Sequence, residues 1–215
     1  MLDKYTQPDF TRSALLTIDL QNDFAGPKAC LTMSGCQPVL NQVNLLVSAF
    51  RKRGLPMVHV VRIYLPDGSN VDLCRRKALE EGARIVLPRT TGAELVREIR
   101  PSTGLDFNGL QEGKLQQFSS NEFAVYKPRW GAFYKTALED FLRDRGVNTL
   151  IITGAFFQRC VLATIFEASE RDFRIVAVRD GIVGMYEQGA AELEDIGVTV
   201  LNAVDFLDAL SGSVS

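Results

Sequence analysis

The sequence predicts an α/β fold: one three-layer α/β/α sandwich around a mainly parallel six-stranded sheet. Three observations predict it. Apolar runs of strand length recur along the chain, and amphipathic helical stretches separate them. The 215 residues, 46% of them hydrophobic, suit a single domain with a substantial core. Continuous apolar runs, rather than strict alternation, mark strands covered on both faces. Alternation of strand with helix favours parallel connections.

Taken in order, the predicted strands are 14–20, 56–63, 122–126, 149–153, 174–178 and 198–201. The first helix, 39–53, puts Val39, Val43, Leu46, Val47 and Phe50 on one stripe, and Gly54 stops it. A second, 132–145, turns Phe133, Leu138, Phe141 and Leu142 inward and ends at Gly146. Helices are also expected at 160–171, 187–196 and 203–210, and in the less regular middle of the chain at 71–81 and 92–100. The stretch 101–121, rich in Gly, Gln and Ser, reads as a surface excursion. The expected domain spans 12–210, with 1–11 and 211–215 as termini.

Composition excludes several function classes. A net charge of −2 gives no footprint for nucleic acid. The single histidine, His59, excludes metal sites that need two imidazoles, and a histidine-activated nucleophile would have to use that residue. Inside a strand, His59 reads as a sheet or core histidine. Residues 1–12 lack the apolar stretch of a secretory signal, and no run is long enough to span a membrane. The four cysteines, Cys30, Cys36, Cys74 and Cys160, match neither CxxC pairs nor a disulfide scaffold. Cys30 and Cys36 could pair, although free thiols in a cytoplasmic protein are the simpler expectation.

In an open α/β sheet, ligands bind beyond the carboxyl ends of the strands. Three polar groups leave strands there: Asp19 after the first, Lys127 after the third, and Cys160 on the segment that follows the fourth and opens a helix. A helix N-terminus favours a thiolate, and a neighbouring ammonium lowers a thiol's pKa. A carboxylate can take and return the proton. Each residue also has an ordinary reading: Asp19 as a cap, Lys127 as a surface charge, Cys160 as a small buried hydrophobe.

The segments Leu15-Leu-Thr-Ile-Asp-Leu-Gln-Asn-Asp-Phe24, Tyr126-Lys-Pro-Arg-Trp-Gly-Ala-Phe-Tyr-Lys-Thr136 and Ile152-Thr-Gly-Ala-Phe-Phe-Gln-Arg-Cys-Val-Leu-Ala-Thr164 resemble the isochorismatase-like cysteine hydrolases. That superfamily includes nicotinamidases and N-carbamoylsarcosine amidase. The resemblance spans roughly 12–205. It implies a catalytic triad of Asp19, Lys127 and Cys160, and a non-proline cis peptide at Ala155–Phe156. It departs from the family in two places. The histidines of the metal-dependent nicotinamidases are missing, so no metal or cofactor is implied. The approach to the nucleophile reads Phe157-Gln-Arg-Cys160 in place of the usual Thr-Asp/Asn-x-Cys, which leaves the substrate open.

The activity so implied is cleavage of a C–N bond in a small amide, carbamoyl or ureido compound through a Cys160 thioester. Backbone N–H groups of Phe156 and Cys160 would hold the oxyanion. Phe24, Tyr64, Trp130, Phe156 and Arg159 are the pocket candidates, with Arg159 able to grip a carboxylate. The resemblance also implies a homodimer or homotetramer. The alternatives are a vinyl-ether hydrolase, which need not have the cysteine, and a catalytically silent interaction protein. A nucleotide-binding module is rejected because the loop after the first strand lacks a glycine-rich phosphate motif.

Overall fold

The computed structural model describes residues 4–27, 29 and 36–212. Cys30, on which the question of a Cys30–Cys36 bridge turns, lies outside them, as do residues 1–3 and 213–215 of the expected termini. The strands are β1 (Ser13–Ile18), β2 (Met57–Val61), β3 (Gln116–Gln117), β4 (Glu122–Tyr126), β5 (Thr149–Gly154), β6 (Arg174–Ile182) and β7 (Thr199–Leu201). They form one sheet in the order β3-β4-β2-β1-β5-β6-β7. All pairings are parallel except β3 with β4. The sheet therefore has seven strands, not six. The extra one is a two-residue polar edge with no apolar run to announce it.

The six apolar runs form strands because both of their faces are covered. In β1, Leu15 packs into one core, while Ala14, Leu16 and Ile18 pack into another. Successive side chains point to opposite faces. On the first face lie α2 (Cys36–Arg53) and α8 (Ala203–Gly212), joined through Phe50 and Phe206. On the second lie α5 (Leu138–Asp144), α6 (Leu162–Ser169) and α7 (Glu187–Asp195), which bury Phe141, Ile165 and Leu193. Short helices α1 (Asn22–Ala25), α3 (Leu73–Glu80) and α4 (Phe107–Gln111) lie on the connections. Among the described residues, no helix is long and apolar enough to cross a membrane.

Two expected helices are curtailed by competing hydrogen bonds. At 92–100 only a 3-10 turn, Thr91–Ala93, forms. The Asn22 side chain donates to the carbonyls of Thr91 and Glu94, at 2.8 and 3.1 Å, and Val96 N–H donates to Leu20 at 3.0 Å. This backbone is tied to the exit of β1 instead of to itself. At 132–145 the helix begins only at Leu138, because Ala132 and Phe133 donate their N–H groups to side chains of α6 and Lys135 takes a positive φ of 52°.

His59 sits in the sheet, fully buried. Nδ1 lies 2.7 Å from the Thr17 hydroxyl and Nε2 lies 3.0 Å from Glu122 Oε1. Arg51 clasps the same carboxylate at 2.6 and 3.0 Å. With Glu122 ionised, His59 donates from Nε2 and accepts at Nδ1. Burial pulls the imidazole below its usual 6.5, against Glu122. Burial opposes the charge on Glu122, but the bonds from His59 and Arg51 prevail and hold its carboxyl at about 2.

A carboxyl lowered from 4.5 to about 2 stabilises the fold fully above its unfolded value and loses that contribution as pH falls through its folded one. Glu122→Gln is expected to cost about 1–3 kcal/mol at pH 7, seen as a lower melting temperature. The gap should shrink as pH drops from about 4.5 toward 2. A gap that stays constant in melts across that range would show that the carboxylate charge is not its source.

Candidate active site

Asp19 follows β1, Lys127 follows β4 and Ala155 follows β5. Hydrogen bonds continue the parallel ladder past the formal strand ends. Asp19 N–H donates to Val60 at 2.9 Å, Lys127 N–H to Val61 at 3.0 Å and Ala155 N–H to Ile18 at 2.9 Å. The positions of all three exits are thus set by the sheet itself. β1 is the switch point, where successive strands build outward to either side.

The side chains meet in the interior. Lys127 Nζ lies 2.9 Å from Asp19 Oδ2, with the two side chains 0% and 2% exposed. Nζ also donates to the Arg129 carbonyl at 3.2 Å. The Cys160 thiol lines the same cleft as the pair and feels both the Asp19 and the Lys127 charge. Asp19 Oδ1 is buried with no hydrogen-bond partner among the described residues, and it belongs to the same cleft as Cys160. Asp19 itself takes φ +54°, a conformation that costs a non-glycine residue about 1 kcal/mol or more.

Burial pushes the Cys160 thiol up to about 12; Asp19 adds to this, and Lys127 only partly offsets it. For Lys127, burial works against the ammonium, but Asp19 and Cys160 outweigh it and raise the pKa. From sequence, a helix N-terminus and a neighbouring ammonium favour a thiolate. In the folded site, desolvation and the Asp19 charge together exceed the pull of one ammonium and favour the thiol.

No cis peptide occurs among the described residues, so the expected cis bond at Ala155–Phe156 is absent. The reversal after β5 is made instead by Phe156 in a left-handed conformation, φ +65° and ψ +78°. Phe157–Val161 then form one turn of π-helix that runs into α6. Cys160 is therefore inside the opening turn rather than at the start of a regular α-helix. Phe156 N–H has no backbone acceptor among the described residues, whereas Phe157 N–H is taken by Val183 at 2.9 Å.

Two side chains of α6 join the lysine loop to the cysteine turn. The Thr164 hydroxyl donates to the Cys160 carbonyl at 2.7 Å and accepts from Ala132 N–H at 3.2 Å. Glu167 accepts from Phe133 N–H at 2.8 Å. A Cβ on Gly131 would fall 2.1 Å from the Glu167 carboxylate, so a larger residue there would displace the carboxylate that accepts from Phe133.

Above the three groups is a cleft with about 10 Å3 of open space, room for roughly one water molecule. Phe24, Tyr64, Trp130 and Phe156 all line it, as the sequence analysis expects. Trp130 is 40% exposed and stands at its rim. Arg159 is not in the wall. It is exposed, with its guanidinium 5.4 Å from the Phe156 ring centroid. The wall instead contains Arg62, Asp72 and Arg75; the sequence offers Arg62 and Arg75, with Arg76, only as members of a lid or interface segment around 64–81, and does not point to Asp72. The available signal is charge density: six Asp, Arg and Lys side chains within 62–77, in a segment leaving a strand. Among the described residues, no cluster of His, Cys, Asp and Glu could hold a metal ion.

Comparison with known proteins matches the isochorismatase domain over residues 13–107 and 111–203. A protein of Arabidopsis thaliana named "probable inactive nicotinamidase" is 33% identical over 167 residues, 77% of each chain. A ureidoacrylate amidohydrolase of Methylobacterium radiotolerans is 25% identical over 219 residues, covering 91% of this chain and 78% of that one. The crystal structure of an isochorismatase family protein from Desulfovibrio vulgaris superposes with a TM-score of 0.79 at 28% identity, over 93% of this chain and 98% of that one.

A protonated resting thiol makes a kinetic prediction. Iodoacetamide should label Cys160 slowly at pH 7, with the rate rising about tenfold per pH unit toward pH 9.5. Lys127→Ala should slow it further, since the ammonium is the group that favours the thiolate. Peptide mass spectrometry reads both, and a rate independent of pH from 6 to 9 would contradict the neutral resting state.

Proposed function

The chain belongs to the isochorismatase family, and on that premise we propose that it is a cysteine hydrolase cleaving a C–N bond of a small amide, carbamoyl or ureido compound. The observation that carries this reading is the meeting of a buried carboxylate, a buried ammonium and a thiol at the floor of one cleft. A vinyl-ether cleavage gives the thiol no role.

Cys160 Sγ attacks the carbonyl carbon as its proton passes to Asp19. Lys127 balances the negative charge that shifts from the carboxylate to the sulfur. Phe156 N–H, which has no backbone acceptor, faces the developing oxyanion together with the N–H of Cys160. The proton on Asp19 is then given to the departing nitrogen, the C–N bond breaks, and ammonia or an amine leaves. Water attacks the thioester, the S–C bond breaks, and the thiol recovers its proton. Atoms balance as substrate plus water giving acid plus amine.

The proton bookkeeping sets two substitutions apart. Cys160→Ala should abolish ammonia release from a panel of small amides, carbamoyl compounds and ureas, by about 1,000-fold or more, while melting within a few degrees of the parent. Asp19→Asn should also abolish turnover, yet it removes the charge that pushes the thiol up. Lys127 then acts alone, and Cys160 should alkylate faster at pH 7 than in the parent. Retained turnover in Cys160→Ala would refute the nucleophile, and retained turnover in Asp19→Asn would refute the base.

A further inference from the structure

The cleft holds one cation more than it pairs. Lys127 is matched by Asp19 at 2.9 Å and Arg62 by Asp72 at 3.5 Å. Arg75, on α3, also lines the cleft. Its guanidinium lies 5.5 Å from the Phe24 ring centroid, with no carboxylate or hydrogen-bond acceptor among the described residues. Asp72 is already shared: the oxygen that pairs with Arg62 also accepts from the Tyr64 hydroxyl at 2.8 Å.

Arg62 adds an independent sign of a missing acceptor. It is 2% exposed. Its Nη groups donate to the Ile63 and Asn70 carbonyls at 3.2 and 2.6 Å and to the Tyr126 hydroxyl at 3.3 Å. Its Nε is buried with no partner. A buried N–H on a charged group without an acceptor is costly, and here it belongs to a residue of the cleft wall.

We propose that the cleft selects a short substrate carrying a carboxylate, with Arg75 as its principal anion contact and Arg62 Nε–H as the second donor. This rests on the hydrolase reading for which carbonyl is cleaved, but not for the binding of the anion. A carboxylate would neutralise Arg75, satisfy Arg62 and leave the amide or carbamoyl end for Cys160. A neutral ligand of the same size can accept from Arg62 but leaves the Arg75 charge unpaired. The space of about 10 Å3 requires Arg75 to leave the Phe24 face as substrate enters. α3 can yield: it buries none of its residues, and a groove of about 580 Å3 lies alongside it, lined in part by Val71, Arg76 and Leu79.

The test is calorimetric titration of the Cys160→Ala variant with two matched pairs: N-carbamoylglycine against 2-hydroxyethylurea, and succinamate against butyramide. In at least one pair the acid should bind about tenfold tighter or more than its neutral partner. Adding Arg75→Gln should reduce that ratio to about threefold or less, and Arg75→Lys should keep most of it, as charge rather than shape demands. Neutral partners binding as well as the acids, no binding by any of the four, or a ratio unmoved by Arg75→Gln would each overturn the proposal. The parent enzyme separates this from the hydrolase reading. Acids that bind but are not hydrolysed contradict the chemistry and keep the anion site. Hydrolysis without preference for acids does the reverse.

Discussion

The ion pair between Lys127 and Asp19 is the interaction on which the rest of the site depends. Neither partner has appreciable contact with solvent, so each is tolerable only because of the other; removing one strands an uncompensated charge in the core. Such a pair contributes little net stability. It does impose a geometry. The two residues leave β4 and β1, strands separated in the sheet by β2, and the lysine side chain must bridge that gap. Ladder bonds from Asp19 and Lys127 to Val60 and Val61 fix both ends to that intervening strand. The pair is held by the most rigid part of the molecule.

The charge state of Cys160 follows from this arrangement. A thiol placed beside an already neutralised pair gains only part of the ammonium's pull and faces the full carboxylate. The site favours its protonated form, which suits the proposed attack, in which the proton leaves as the sulfur bonds. The same accounting extends up the cleft wall. Arg62 is answered by Asp72 as Lys127 is by Asp19, and Arg75 alone is left over. Charge that is balanced at the floor and unbalanced near the mouth suits a ligand with a neutral reacting end and an anionic tail.

Much of this was legible in the sequence, for definite reasons. Strands buried on both faces must be apolar throughout, so β1, β2 and β4 to β7 announced themselves. β3 did not, since Gln116–Gln117 pairs only at an edge and buries little. Asp19 and Lys127 were visible because polar residues ending apolar strands are conspicuous, and Cys160 because it opens a helical pattern. Helix periodicity overreached at 92–100 and 132–145, where Asn22, Thr164 and Glu167 capture the backbone from a distance. No local pattern contains that competition. Arg62 and Arg75 could be placed only in a lid or interface segment, and Asp72 not at all, because they enter the cleft only when an irregular segment folds back over the ends of the strands. Arg159 adjoins the nucleophile in sequence, yet a turn of helix points neighbours in different directions, and it stays outside.

The central claim is that Cys160, with its proton passed to Asp19, forms a covalent bond to the carbonyl carbon. Acid-quenched mass spectrometry during turnover of any amide or ureido compound that the enzyme hydrolyses tests it most directly. The predicted result is a Cys160 peptide heavier by the acyl or carbamoyl group of the substrate, lacking the departed nitrogen and disappearing as substrate is exhausted. Steady hydrolysis with Cys160 unmodified, and a product carrying solvent oxygen from a single direct attack of water, would contradict it.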